Sequence, residues 1–210
     1  MKSKNALLFD LGNVLLPIDL SLTYQAFSQL STIFDAQEIQ KKIIEEGLWL
    51  GYEAGLLADG EFRDLLIDKL ALNCSIEEFD QAFSALLLDF PSNVYSFLHE
   101  FTSDFDLYLL SNTSVIHARI FLNNQLGSNG ENLFDLFKKT HFSFDMGLVK
   151  PNPLIYEQVL RENNLIADQL VFFDDNVANI LSASQLGIDS ILIDPKNSFS
   201  QISKKITELC

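Results

Sequence analysis

The stretch LLFDLGNVLL, residues 7–16, decides how the chain is read. Leu7, Leu8 and Phe9 form an apolar run that stops at a carboxylate, Asp10, and Gly12 follows two residues later. A short, continuous apolar run suits a strand buried on both faces of a parallel sheet. In such sheets ligands bind beyond the carboxyl ends of the strands, at the point where the strand order reverses. Asp10 is then either part of a site or an aspartate in a strand-end turn.

Similar runs recur at residues 6–9, 107–110, 170–173 and 191–193, with a weaker one at 140–144. Helical patterns separate them at residues 94–101, 116–124, 153–163 and 179–186, the last followed by Gly187 as a stop signal. This alternation predicts a doubly wound α/β core. Residues 18–89 break the pattern. Ile39, Ile43 and Leu48, then Phe62, Leu65, Leu66 and Leu70, then Phe79, Phe83, Leu86 and Leu87 fall at helical spacing. Asp35 with Glu38 and Ser75 with Glu78 have the spacing of capping boxes. With a first helix near residues 22–30, the segment reads as a four-helix insertion bracketed by Pro17 and Pro91, which disfavour helix just before themselves. The expected organisation is a core of residues 1–17 and 90–210 with a helical cap of residues 18–89.

Bulk properties narrow the function. The 210 residues suit one domain with a smaller insertion, and 48% hydrophobic residues, including 18 Phe, can fill a sizeable core. A formal charge of −15 repels nucleic acid and anionic membrane surfaces, and no apolar run approaches the ~20 residues of a membrane span. Cys74 and Cys210 are too few for a disulfide framework, and the first apolar stretch breaks at Asp10, too early for a signal peptide. A cytoplasmic setting is expected, with a monomer or weak homodimer as the assembly.

The residues after each run form a chemically coherent set. They are Asp10, then Ser111-Asn112-Thr113, then Asp174-Asp175-Asn176, with Lys150 presented in the loop of residues 147–151. A carboxylate can attack phosphorus and split hydrolysis into two displacements. Two anions repel, so the attack needs a divalent cation, and Mg2+ suits a site with one or two carboxylates. A serine hydroxyl and helix-start N–H groups suit phosphate oxygens, and a lysine offsets charge on the transferred group. Plain helix capping is the alternative task for the 111–113 and 174–175 segments.

FDLGNV (9–14), LLSNT (109–113), GLVKPNPLIYEQVL (147–160) and VFFDDNVANI (171–180) together resemble the four motifs of the haloacid dehalogenase-like hydrolases, in order and over nearly the whole chain. Within that family the start and the FFDDN segment resemble the α-D-glucose-1-phosphatase-like sugar-phosphate phosphatases. The resemblance implies a Rossmann-like core with an inserted cap and a Mg2+-dependent phosphatase acting through an aspartyl-phosphate. It implies Asp10 as nucleophile and metal ligand, the Gly12 carbonyl and Asp175 as further ligands, and Asp174 near the metal through water. Ser111, Asn112 and Lys150 would hold the phosphate of a small phosphorylated metabolite. A 2-haloacid dehalogenase and a catalytically weak phospho-ligand-binding protein are the alternatives; the dehalogenase needs no Mg2+.

Gly12 departs from most phosphatases of that family, which carry a second aspartate there as general acid and base. Losing such a group costs about 10²–10⁴ in rate. Three outcomes follow: a leaving group that needs little help, such as a sugar 1-phosphate; a substitute acid, with Asp19 at the cap hinge as the candidate; or a slow enzyme. Trp49, Tyr52 and Glu53 lie beside Gly51 and Gly55, where a turn can lower them onto a substrate, unless they are cap core.

Overall fold

The computed structural model describes residues 4–123, 126–127 and 130–209. The end of the helix expected at residues 116–124, and Cys210, lie outside that set. Five parallel strands form one sheet in the order β3-β2-β1-β4-β5: β1 Ala6–Phe9, β2 Asp106–Ser111, β3 Lys139–Phe142, β4 Leu170–Asp174 and β5 Asp189–Leu192. The order reverses between β1 and β4, which pair in register from Ala6 with Leu170 to Phe9 with Phe173. β1 and β4 are buried along their whole length, as their unbroken apolar runs require. The Phe9 and Phe173 rings stack at 5.3 Å on one face of the sheet.

The strand edges differ in detail from the sequence reading. β5 begins at the polar pair Asp189-Ser190 and stays half-exposed, because an edge strand need not be apolar on both faces. β3 ends at Phe142, where a one-turn helix α8 (Ser143–Met146) begins. The other helices flanking the sheet are α6 (Val94–His99), α7 (Val115–Phe121), α9 (Pro153–Glu162), α10 (Val177–Gln185) and α11 (Ser198–Thr207).

Residues 18–89 hold five helices rather than four: α1 Leu20–Leu30, α2 Ala36–Glu46, α3 Leu48–Glu53, α4 Asp59–Lys69 and α5 Ile76–Ser84. The unforeseen element is α3. Its six residues, bounded by Gly47 and the turn at Gly55, are too few to display a helical period. Both capping boxes form, Asp35–Glu38 on α2 and Ser75–Glu78 on α5. Phe27, Ile39, Phe62, Phe79 and Phe83 centre a separate apolar cluster in this layer, and Ile116 of α7 packs into it. The two connections to the rest of the chain run antiparallel: Asp19 N–H donates to Leu86 O at 2.9 Å, and Leu88 N–H to Pro17 O at 3.2 Å.

Candidate active site

The sheet brings three carboxylates together. One oxygen each from Asp10, Asp174 and Asp175 lie within 4.8 Å of one another. Asp10 follows β1, and its N–H continues the ladder to Phe173 O at 2.9 Å, so register alone sets it beside the end of β4. Lys150 reaches between them. Its Nζ lies 2.7 Å from Asp10 Oδ1, 2.7 Å from Asp174 Oδ2 and 3.1 Å from Leu110 O. All three ammonium protons are thereby committed, and the side chain is buried.

Asp174 has no exposed surface and is fully engaged. Besides Lys150, it accepts from Asn176 N at 2.8 Å and from Asn179 Nδ2 at 3.0 Å on each oxygen. Three donors hold it, with Asn179 Nδ2 shared between its two oxygens, so Asp174 anchors Lys150. Asp175 is more open, and its Oδ2 accepts from Asn13 Nδ2 at 3.1 Å. Asn13 was missed in the sequence. It takes the left-handed backbone conformation, φ 58°, next to Gly12, which does not. The Gly-Asn dipeptide after a strand was a turn signal that pointed to it.

The charges are strongly perturbed. Burial pushes the Asp10 carboxyl up to about 7; Lys150 pulls it back, while Asp174 and Asp175 push it further up. Burial also opposes the charge on Lys150, yet Asp10 and Asp174 outweigh it and hold the ammonium protonated. Asp175 is raised, chiefly by burial. Fully ionised, three acids against one lysine leave a net negative pocket, which a divalent cation balances. The donors fit Mg2+: all oxygen, with Asp175 outside the lysine clamp, an Asp10 carboxylate that Lys150 holds by Oδ1, and a Gly12 carbonyl that no donor reaches among the described residues. Asp10, Asp175 and Gly12 would hold that ion, which would supply charge neutralisation between the attacking carboxylate and an anionic substrate.

The family model described as haloacid dehalogenase-like hydrolase matches residues 4–187. The chain belongs to that family. The hydrolase is 28% identical over 191 residues, 91% of each chain, to the D-ribitol-5-phosphate phosphatase of Bacteroides thetaiotaomicron. Its fold superposes with TM-score 0.86 on a haloacid dehalogenase family enzyme from the same organism, solved as a complex with magnesium and inorganic phosphate. That pair shares 29% identity over 94% of this chain and 98% of the other. A 2-haloacid dehalogenase from Pseudomonas syringae shares the fold at TM-score 0.64 and 16% identity, over 98% of this chain and 99% of that one.

Beside the carboxylates the hydrolase has a cavity of about 430 Å³. Gly12, Ser111, Asn112 and Thr113 line its floor, and Ile18, Tyr24, Ile43, Trp49, Leu50 and Glu53 are among the residues above. Two expected site residues have other tasks. Asp19 is exposed and caps α1, accepting from Ser21 N at 2.9 Å and Ser21 Oγ at 2.7 Å, and it does not line the cavity. Its position before an unpaired helix N-terminus explains this. Asn112 lies at the cavity, but its amide is clamped to the backbone of Lys150: Nδ2 donates to Lys150 O at 2.9 Å and Oδ1 accepts from Lys150 N at 2.8 Å. The capping alternative for the motif residues fails as well, since Ser114 caps α7 and Asn176 caps α10.

Of the three cap residues near Gly51 and Gly55, Tyr52 is core. It stacks on Phe62 at 4.1 Å and donates to Asp59 Oδ1 at 2.8 Å. Trp49 and Glu53 face the cavity and bond each other, Trp49 Nε1 donating to Glu53 Oε1 at 3.0 Å. Gly55, at φ 69°, makes their descent possible: a Cβ there would run into the Phe144 carbonyl, so glycine lets the end of α3 press against α8.

Proposed function

We propose that the hydrolase is a Mg2+-dependent phosphatase of small phosphate monoesters, sugar and polyol phosphates foremost, with Asp10 as the nucleophile that becomes an aspartyl-phosphate. One observation carries this reading: Asp10 sits at the switch point of the sheet, clamped by Lys150, with Asp175 beside it and an oxygen-only donor set around them. In this reading Asp10, the Gly12 carbonyl and Asp175 take the metal, and Asp174 acts through Lys150. Ser111 and the N–H groups that follow it hold the phosphate, and Lys150 offsets its charge without leaving the clamp. The phosphatase and the magnesium–phosphate complex among the relatives support the same chemistry.

The proposal includes the division of the chain, residues 1–17 and 90–210 as core and 18–89 as cap, which the separate apolar cluster of the cap and the paired connections at Pro17–Asp19 and Leu86–Leu88 support. It places a monomer or weak homodimer in the cytoplasm. Among the described residues no helix is long and apolar enough to cross a membrane. The test is phosphate release from a panel of phosphate esters. Release with Mg2+, its loss in EDTA, and a fall of at least about 10³-fold in Asp10→Asn are expected. Release unchanged in Asp10→Asn, or chloride release from 2-chloro acids in EDTA, would overturn the proposal.

A further inference from the structure

An alkoxide leaving a phosphate ester needs a proton, and a positioned side chain that supplies it accelerates the step. Around this site the groups that carry protons are mostly committed. Lys150 has placed all three of its protons, and Asp174, fully buried, accepts from Lys150, Asn176 and Asn179. Asp19 is turned away on the N-terminus of α1. His117 gives its Nε2 proton to the Phe83 carbonyl at 3.1 Å, stacks on the Phe83 ring at 4.2 Å, and burial keeps its imidazole neutral down to about 4.

Glu53 differs from all of these. Among the described residues lining the cavity it is the one carboxyl group. Trp49 fixes its Oε1, while no donor reaches Oε2 among the described residues, and the surface that Glu53 keeps opens on the cavity shared with Gly12 and Ser111. The surrounding wall is apolar, with Ile43, Leu50 and Leu16 nearby. Such a setting favours the protonated acid: burial raises the Glu53 carboxyl to about 7, against the pull of the Trp49 hydrogen bond and of Lys150. A carboxyl that exchanges its proton near neutrality meets the requirement for acid and base work.

We propose that Glu53, lowered from the cap by the Gly55 turn and held by Trp49, is the catalytic acid and base of this site, in the place that Gly12 leaves without a side chain. The inference rests on the phosphatase reading. In the first displacement a carboxylate oxygen of Asp10 forms a bond to phosphorus. The bond from phosphorus to the bridging oxygen breaks, its electron pair stays on that oxygen, and the oxygen takes the Oε2 proton of Glu53. In the second, water attacks the phosphoryl phosphorus and passes a proton to the Glu53 carboxylate. The phosphorus–Asp10 bond breaks, giving orthophosphate and restoring both acids.

The test uses Glu53→Gln, which keeps an Oε1 for Trp49 and cannot donate an acidic proton. Turnover of D-ribitol 5-phosphate, or the best alkyl ester of the panel, is compared with turnover of p-nitrophenyl phosphate, whose leaving group needs no proton. The expected result is a loss of kcat of about 10²-fold or more on the alkyl ester, and a loss at least tenfold smaller on the aryl ester. Equal losses on both, or no loss, would overturn the inference. So would a raised KM with unchanged kcat, which would make Glu53 a reader of substrate hydroxyls. Glu53→Asp, which retains an acid on a shorter arm, is expected to recover part of the alkyl-ester activity; a result no better than Glu53→Gln would also count against it. If the wild-type protein hydrolyses neither ester, the phosphatase reading itself fails, an outcome distinct from a failed leaving-group comparison in an active enzyme.

Discussion

Two buried charged devices act at the scale of single residues. The first is the Asp10–Lys150–Asp174 clamp, with both ion pairs at 2.7 Å. A buried pair adds little net stability, but removing one partner strands a charge at a cost of about 3–5 kcal/mol. The clamp therefore fixes the position of Asp10 more than it strengthens the fold. The second is Glu53, whose raised carboxyl has a consequence for stability. A carboxyl with a folded pKa of about 7 against an ordinary 4.5 binds more protons folded than unfolded between those values. Its contribution is fully present at low pH and is lost as pH rises through about 7. In EDTA, Glu53→Gln is expected to match the wild-type Tm near pH 4 and exceed it at pH 8, by at most about 3 kcal/mol of stability. Thermal unfolding across that range checks it; a wild type more stable than Glu53→Gln at pH 8 would contradict the burial of this group.

At the scale of elements, the contact between α5 and α7 couples cap to core. Phe83 is fully buried, lies 4.7 Å from the Trp49 ring and 5.0 Å from Phe62, and its ring and carbonyl both engage His117 of α7. Phe83→Ala is expected to cost about 3–5 kcal/mol. It is also expected to impair catalysis more than surface substitutions do, because Trp49, which holds Glu53, leans on that ring. Denaturant unfolding with kinetics on the surviving folded fraction measures both. Elements also divide what the sequence made legible from what it hid. Buried strands such as β1 and β4 announced themselves, since both faces need apolar residues, and so did the capping boxes of α2 and α5, which are local. Short or half-exposed elements were less legible: α3, shorter than two helical turns, was missed, and β5 was expected two residues late because it starts on polar residues. Asp10, Lys150 and Asp175 were legible as strand-end acids and a loop lysine. The partners of their side chains were not, because hydrogen bonds such as Asn112 to the Lys150 backbone and Asn13 to Asp175 join residues 38 and 162 positions apart. The assignment of proton donor to Asp19 erred for the same reason: proximity in sequence to the hinge does not say which way a side chain turns.

For the whole molecule, a parallel sheet places Asp10, its lysine clamp and an acid pair at one edge, and a helical layer covers that edge with an apolar wall that carries Glu53. The excess of acids fits the proposed function, in which the phosphate is met by local N–H groups and a cation and not by a basic surface. The central claim is that the phosphoryl group passes onto Asp10. Acid quenching of the wild-type enzyme during turnover with Mg2+, followed by mass analysis of its peptides, tests it most directly. A phosphoryl group is expected on the peptide containing Asp10, absent in EDTA and absent in Asp10→Asn. Continued turnover with that peptide unmodified, or a phosphoryl group trapped on another residue, would contradict the account.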